Sequence, residues 1–361
     1  MGVRVRVRLP DLVLGQRVEE LVFALKAPLL GWREAARGLP RLGKLARLAL
    51  FMPRSPYGPM ARRGRLLLMA RSLEGGASPE AYFQQLLSEV RFNLSQDAEA
   101  VDQLLTVMLT GVIALGIVAS LGFYGPLSLV VMVLIGVGAM LTIPRAYYPT
   151  IDDGDLMGLA LAIGVGIAAA RLADGYLALA LSMLVYGSLK APSLIHDVRL
   201  VAGLPTRVVA SFNEVLTRPN PTPIRDLSPI EAGLMRLWGE ARRIGAPAFV
   251  GFANELVLEY INTVRGALNL ALAYGALTIG VGGALGAGLM GYIAGLIHQS
   301  LTTQAPLAVP FISNLPQGAF YSAVGSGVAG GMVMMDWRLG SLIGGALGLA
   351  AWLTLHALLT A

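Results

Sequence analysis

Apolar residues along this chain gather into two long blocks, and polar and apolar residues alternate at helical spacing before each of them. Residues 104–122 (LLTVMLTGVIALGIVASLG) and 126–143 (PLSLVVMVLIGVGAMLTI) are nearly continuous apolar runs, with Gly125-Pro126 as the turn between them. A helix needs about 20 mostly apolar residues to cross a bilayer, with a range of roughly 17–25, and both runs qualify. Residues 156–170 and 175–189 form a second, less apolar pair around Arg171 and Asp174. In the second block, 267–297 carries no charge and reads as one long tilted helix or a helix broken at its glycines. Residues 339–359 form a final span, and 319–335 a weaker one ahead of Trp337-Arg338. The expected total is about seven spans.

The intervening segments have the pattern of water-facing helices. LVLGQRVEELVFAL (12–25), ARRGRLLLMARSLE (61–74) and PEAYFQQLLSEVRFNLSQDAEAVDQ (79–103) place apolar residues on one helical face. Ser78-Pro79-Glu80 is a helix start, with proline at the first helical position. The later segment is built alike, with 205–217, a proline-rich TRPNPTPIRDLSP, then helices near 229–243 and 247–264. Ser228 and Glu231 have capping-box spacing. The expected fold class is therefore all-α: a polytopic helical membrane protein with two cytoplasmic helical-bundle modules. The expected divisions are 1–103 (first module), 104–190 (about four spans), 191–265 (second module) and 266–361 (about three spans).

Charge sharpens this picture. Only 14% of the 361 residues are charged, against about 25% in an ordinary soluble domain. The last 96 residues hold only Asp336 and Arg338, and residues 105–189 hold only two arginines and four aspartates. Cytoplasmic loops are enriched in Lys and Arg. That rule puts the arginine-rich N-terminal block inside, brings the chain back inside at Arg145, Lys190 and Trp337-Arg338, and leaves 298–318 outside. Arg171 alone falls on the wrong side, with Asp174 as its expected partner. The start, MGVRVRVRLP, has no apolar h-region, so no cleaved signal peptide is expected. The expected location is the cell membrane, multi-pass, with a cytoplasmic N-terminus. There is no cysteine, which excludes disulfides, thiolate nucleophiles and cysteine-ligated metal.

The two water-facing segments also match each other. Arg37-Gly38-Leu39-Pro40 has a counterpart in Ala202-Gly203-Leu204-Pro205, and a proline-rich stretch follows each. Gly76-Ala77-Ser78-Pro79 and Gly245-Ala246-Pro247 each lead an amphipathic helix toward the membrane. These pairs point to an internal repeat. With this layout the chain resembles the inner-membrane platform proteins of type IV pilus, type II secretion and archaellum machines. GGASPEAYFQQLLSE and GAPAFVGFANELVLEY look like the family's "small-residue turn, then amphipathic helix" segment. The glycine-rich end with its late histidine, His356, is similar to the archaeal, TadC-like branch. The proline-rich stretch within 190–265 is longer than that pattern.

The resemblance implies a non-enzymatic role with no cofactor: a platform that couples a hexameric secretion ATPase to pilin-like subunits, as a homo-oligomer and without nucleic acid. Arg62, Arg63, Arg65, Arg71, Arg242 and Arg243 are then candidates to meet an acidic ATPase surface, or anionic lipid. Gly291 and Gly295 have the spacing of close helix contact. Two other functions fit parts of the pattern. A secondary transporter would use internal repeats and glycine-broken helices. An intramembrane aspartyl (prepilin-type) peptidase would use Gly154-Asp155 with a second acid, Asp174 or Asp102, close enough to share a proton; acids at a helix start also serve as caps. His196, His298 and His356 lack metal-ligand spacing, and GxxxxGK[ST] is absent.

Overall fold

A computed structural model describes residues 78–120, 125–142, 153–203, 265–285 and 315–360, with scattered single positions elsewhere. Every element among the described residues is a helix. In chain order they are α1 (Pro79–Ser120), α2 (Gly125–Thr142), α3 (Asp153–Leu172), α4 (Gly175–Ala202), α5 (Arg265–Leu285), α6 (Leu315–Met334) and α7 (Trp337–Thr360). The stretches Ala98–Ala119, Gly154–Leu172, Gly175–Arg199, Arg265–Leu285 and Trp337–Ala357 are each long and apolar enough to cross a membrane. Gly125–Leu141 is a shorter apolar helix. The protein is a helical membrane protein, and its large exposed hydrophobics, such as Leu134, Leu159 and Ile167, lie on these helices.

The amphipathic run 79–103 and the apolar run 104–122 are one helix. At 1.5 Å per residue, the 42 residues of α1 extend about 63 Å, twice the hydrocarbon thickness of about 30 Å. Its N-terminal half turns Tyr82, Leu86 and Leu87 inward and Gln84, Gln85, Ser88 and Ser95 outward. Burial raises the Tyr82 phenol above its ordinary value. Gly76 takes a left-handed φ of 90°, and Ser78 then caps the helix, its Oγ accepting from the Ala81 N–H at 3.2 Å. Replacing Ser78 by alanine should cost about 1 kcal/mol of stability in a detergent-solubilised thermal melt, without changing the helix content at low temperature.

α6 explains why a glycine- and serine-rich segment of modest hydropathy sits in a membrane bundle. It is buried almost throughout, from Gly318 to Val333. Neighbours reach it on several sides: Gly325 meets Met132 of α2, Gly330 meets Ile279 of α5, and Gly331 meets Gly340 of α7. Such a helix needs small residues for backbone approach, not large apolar ones for contact with lipid. A methyl group built on Gly331 would lie 2.6 Å from the Gly340 Cα, so these two backbones touch. α7 in turn presses Gly345 on α4, where an added methyl would come within 2.5 Å of the Leu184 nitrogen. α3 packs on α4 at the edge, through Gly158, Ala162, Gly166 and Ala169.

α1 and α5 run in the same direction and touch at matching positions. Arg91 reaches Glu259, just ahead of α5, at 3.6 Å. The Thr106 and Tyr274 hydroxyls lie 2.8 Å apart, 168 residues apart in sequence. Arg91 and Glu259 have that same separation, and so do Pro79 and Pro247. α2 and α6 also run in the same direction, with Met132 at Gly325 and Gly136 at Ala329, each pair 193 residues apart.

Several expectations fall outside the described residues: Arg62, Arg63, Arg65, Arg71, Arg242, Arg243, Gly291, Gly295 and His298. The expected end of the fourth span differs from the structure. α4 does not end near residue 189 but continues through Lys190 and Pro192 to Ala202. A charged lysine marks a membrane boundary only when nothing neutralises it, and here Asp155 does.

Candidate functional site

Most of the buried ionisable side chains among the described residues meet at one end of the bundle, where α3 and α7 begin and α4 nears its end. Asp336 is fully buried (0% exposed), and Arg338, Asp155 and Asp197 are 6%, 7% and 9% exposed. Asp336 opens α7: its Oδ1 accepts from the backbone N–H of Arg338 at 2.9 Å and of Leu339 at 3.2 Å. This is the cap that a helix start requires. Its other oxygen binds the Arg338 guanidinium, with Nε at 2.8 Å and Nη2 at 2.6 Å.

Arg338 also crosses to α4. Its Nη2 donates to Asp197 Oδ2 at 2.8 Å, and its Nη1 donates to Ser193 Oγ at 3.0 Å. A second group lies beside the first. Lys190 Nζ pairs with Asp155 Oδ1 at 2.9 Å, and the Tyr186 hydroxyl donates to the same oxygen at 3.3 Å. The Trp337 indole N–H closes the circuit by donating to the Tyr186 oxygen at 3.0 Å. Tyr186, Lys190, Ser193 and Asp197 recur at intervals of four, three and four residues, so α4 presents all of them on one face. The network thus ties three helices together at one end of the bundle. Every charged group in it touches one of opposite sign, as burial at low dielectric demands, although three carboxylates share two cations because Asp197 and Asp336 both bind Arg338.

The opposite end of the bundle is aromatic. Asp174 caps α4 through the Leu177 N–H at 2.7 Å and accepts from the Trp352 indole at 2.8 Å. His356 stacks on Trp352 with ring centroids 5.2 Å apart, and Tyr176 meets Phe320 edge-on at 5.0 Å. Asp174 therefore does not serve Arg171 as expected. Arg171 projects from the exposed side of α3, while Asp174 turns to α4 and α7.

Asp155 and Asp174, one of the two pairs expected as a proteolytic dyad, are kept apart. Asp155 and Asp174 head α3 and α4, which lie antiparallel, so the length of α3, about 28 Å, separates them. Asp102 sits on α1 and accepts from the Tyr274 hydroxyl at 2.9 Å. The carboxylates that do approach each other, Asp197 and Asp336, share one arginine nitrogen. Among the described residues no group of three or more His, Asp or Glu side chains could hold a metal ion.

The Asp102–Tyr274–Thr106 chain is a smaller polar seam between α1 and α5. Replacing Tyr274 by phenylalanine removes the donor to a half-buried carboxylate and should destabilise the protein by about 1–3 kcal/mol. Denaturant titration in detergent checks this. A loss below about 0.3 kcal/mol would mean that water already serves Asp102.

In the sequence, Asp336 and Arg338 stand out as the only charges in the last block, where their pattern reads as a membrane edge and not as a network. Asp197 carries no signal of its own. The available clue is the helical spacing of four, three and four residues from Tyr186 to Asp197, and a helix expected to end near 189 conceals it. The chain matches no protein-family model, and neither a curated protein nor a solved structure matches it.

Proposed function

We propose that this protein is the membrane platform of a pilus-like, archaellum-like or secretion filament machine, coupling a cytoplasmic ATPase to pilin-like subunits in the bilayer. The observation that carries the reading is α1, one unbroken helix with a polar, water-compatible half and a membrane-spanning half. A rigid rod of this kind transmits displacement from a soluble partner into the membrane. The α1–α5 contacts, which pair positions 168 residues apart, support an internal repeat in which α5 is the counterpart of the membrane half of α1. On this reading the two water-facing segments and the N-terminus lie in the cytoplasm of a multi-pass cell-membrane protein. Arg62, Arg63, Arg65, Arg71, Arg242 and Arg243 meet the ATPase or anionic lipid there.

The test is crosslinking and co-purification from native membranes, followed by mass spectrometry. Recovery of a hexameric secretion ATPase and a pilin-like protein is expected, with ATPase recovery falling sharply when the six arginines are changed to glutamate. A well-folded preparation that recovers neither overturns the proposal. A secondary transporter is the second reading, favoured by ionisable residues buried at one end of the spans. Substrate uptake into proteoliposomes, lost in Asp155→Asn, would support it instead.

A further inference from the structure

The charge network straddles a weak point in α4. Pro192 lies inside this helix; it has no N–H for the Ser188 carbonyl, and its ring crowds that carbonyl, so the backbone is weakened here. Ser193 adds to this by donating its hydroxyl to the Lys190 carbonyl at 2.8 Å, a side-chain bond of the kind that bends helices. Pro192 is exposed, whereas Lys190, Leu194 and Asp197 occupy the opposite, inward face.

The contacts divide cleanly at the proline. Before it, Lys190 is fixed to Asp155, Tyr186 is bonded to Trp337, and Gly187 packs against the Leu342 backbone. After it, the hydrogen bonds that tie α4 to another helix among the described residues run to a single side chain, with Ser193 and Asp197 both held by Arg338. Asp336 stays bound to Arg338 through its own helix start whether or not Asp197 does. Release of Asp197 therefore does not leave the guanidinium without an anion, and Asp197, close to the end of the span, can turn toward water. A contact that opens without stranding a buried charge is reversible.

We propose that Pro192 is a hinge and that Arg338 is the latch holding the terminal arm of α4, residues 193–202, against α7. In the latched state the arm and α7 move as one body; in the released state the arm swings about Pro192 while residues 175–190 stay packed. The arm leads directly into the second basic segment, so the latch decides whether movement there reaches α7 and the enclosed α6.

The protein lacks cysteine, so spin labels can be placed without background. Val198→Cys on the arm and Leu161→Cys on α3, both exposed, report arm position by pulsed electron spin resonance in nanodiscs. A second pair, Leu161→Cys with Leu353→Cys on α7, reports the integrity of the bundle. The latch is reduced to its Ser193 bond with Asp197→Ala, which removes the carboxylate acceptor altogether and leaves the Asp336 cap intact. The arm distance distribution should broaden about twofold on this change and return to the original width when Pro192→Ala is added, because only the hinge allows the swing. The bundle pair should not change in any variant. An arm distribution unchanged in Asp197→Ala, or one that stays broad after Pro192→Ala, overturns the proposal. So does broadening of the bundle pair, which would make the network a general packing element.

Discussion

Arg338→Leu is expected to lower the unfolding free energy by about 3–5 kcal/mol, among the largest effects of any single substitution in this chain. Leucine fits a membrane helix better than arginine on any hydropathy scale, so a forecast from the span alone would be a gain. The geometry reverses the sign. Removing the guanidinium leaves Asp336, which has no exposed surface, without the cation that compensates it; Asp197 loses the same partner but lies near the end of its span, so most of the cost falls on Asp336. An unpaired buried charge costs more than the substituted side chain recovers. Adding Asp197→Asn should restore part of the loss by neutralising one carboxylate, and adding Asp336→Asn should restore more while keeping a capping side chain at the start of α7. Denaturant titration in micelles provides the measurement. If Arg338→Leu falls within about 1 kcal/mol of the parent, water reaches the network and its burial is not energetically real.

The second large effect is expected at Gly331. Alanine is the better helix former by about 1 kcal/mol, yet Gly331→Ala should destabilise the protein by about 1–3 kcal/mol, and a larger residue by more. The added methyl would meet the Gly340 Cα and nitrogen at 2.6 Å and the Leu339 carbonyl carbon at 2.8 Å. All three are backbone atoms, so no flexible side chain can swing aside; α6 and α7 must separate. Gly164 on α3 is the matched control, with nothing within 4 Å of the added carbon, and Gly164→Ala should be neutral or slightly stabilising. Equal behaviour of the two variants would show that α6 and α7 are not in backbone contact. The pair isolates helix–helix proximity from helix propensity, since propensity changes in the same direction at both sites.

Much of the fold is legible in the chain because hydropathy is a local property. The spans at α1, α3 and α7, the shorter apolar helix α2, the cap at Ser78 and the segment of α6 all follow from which residues tolerate lipid or satisfy a helix end. Local reading fails where a charge stands in for a boundary. Lys190 has the look of a span's end, although α4 passes through it, because its compensation by Asp155 lies 35 residues away in sequence. Proximity along the chain pairs Asp174 with Arg171, whereas its indole partner, Trp352, is 178 residues distant. α6 scores as a weak span because hydropathy measures affinity for lipid, and this helix is surrounded by other helices instead.

Composition and period alone establish that the chain is helical, belongs in a membrane and alternates apolar blocks with basic, charged ones. Each residue contributes to those properties independently of distant partners. Other features exist only in three dimensions: the lone charges of the last block join α3 and α4 in one closed network, Pro192 divides that network, and α6 is the enclosed helix. Ion pairs and backbone contacts depend on which helix faces come together. Residues far apart in the chain determine that jointly, through shape and charge that no local window contains.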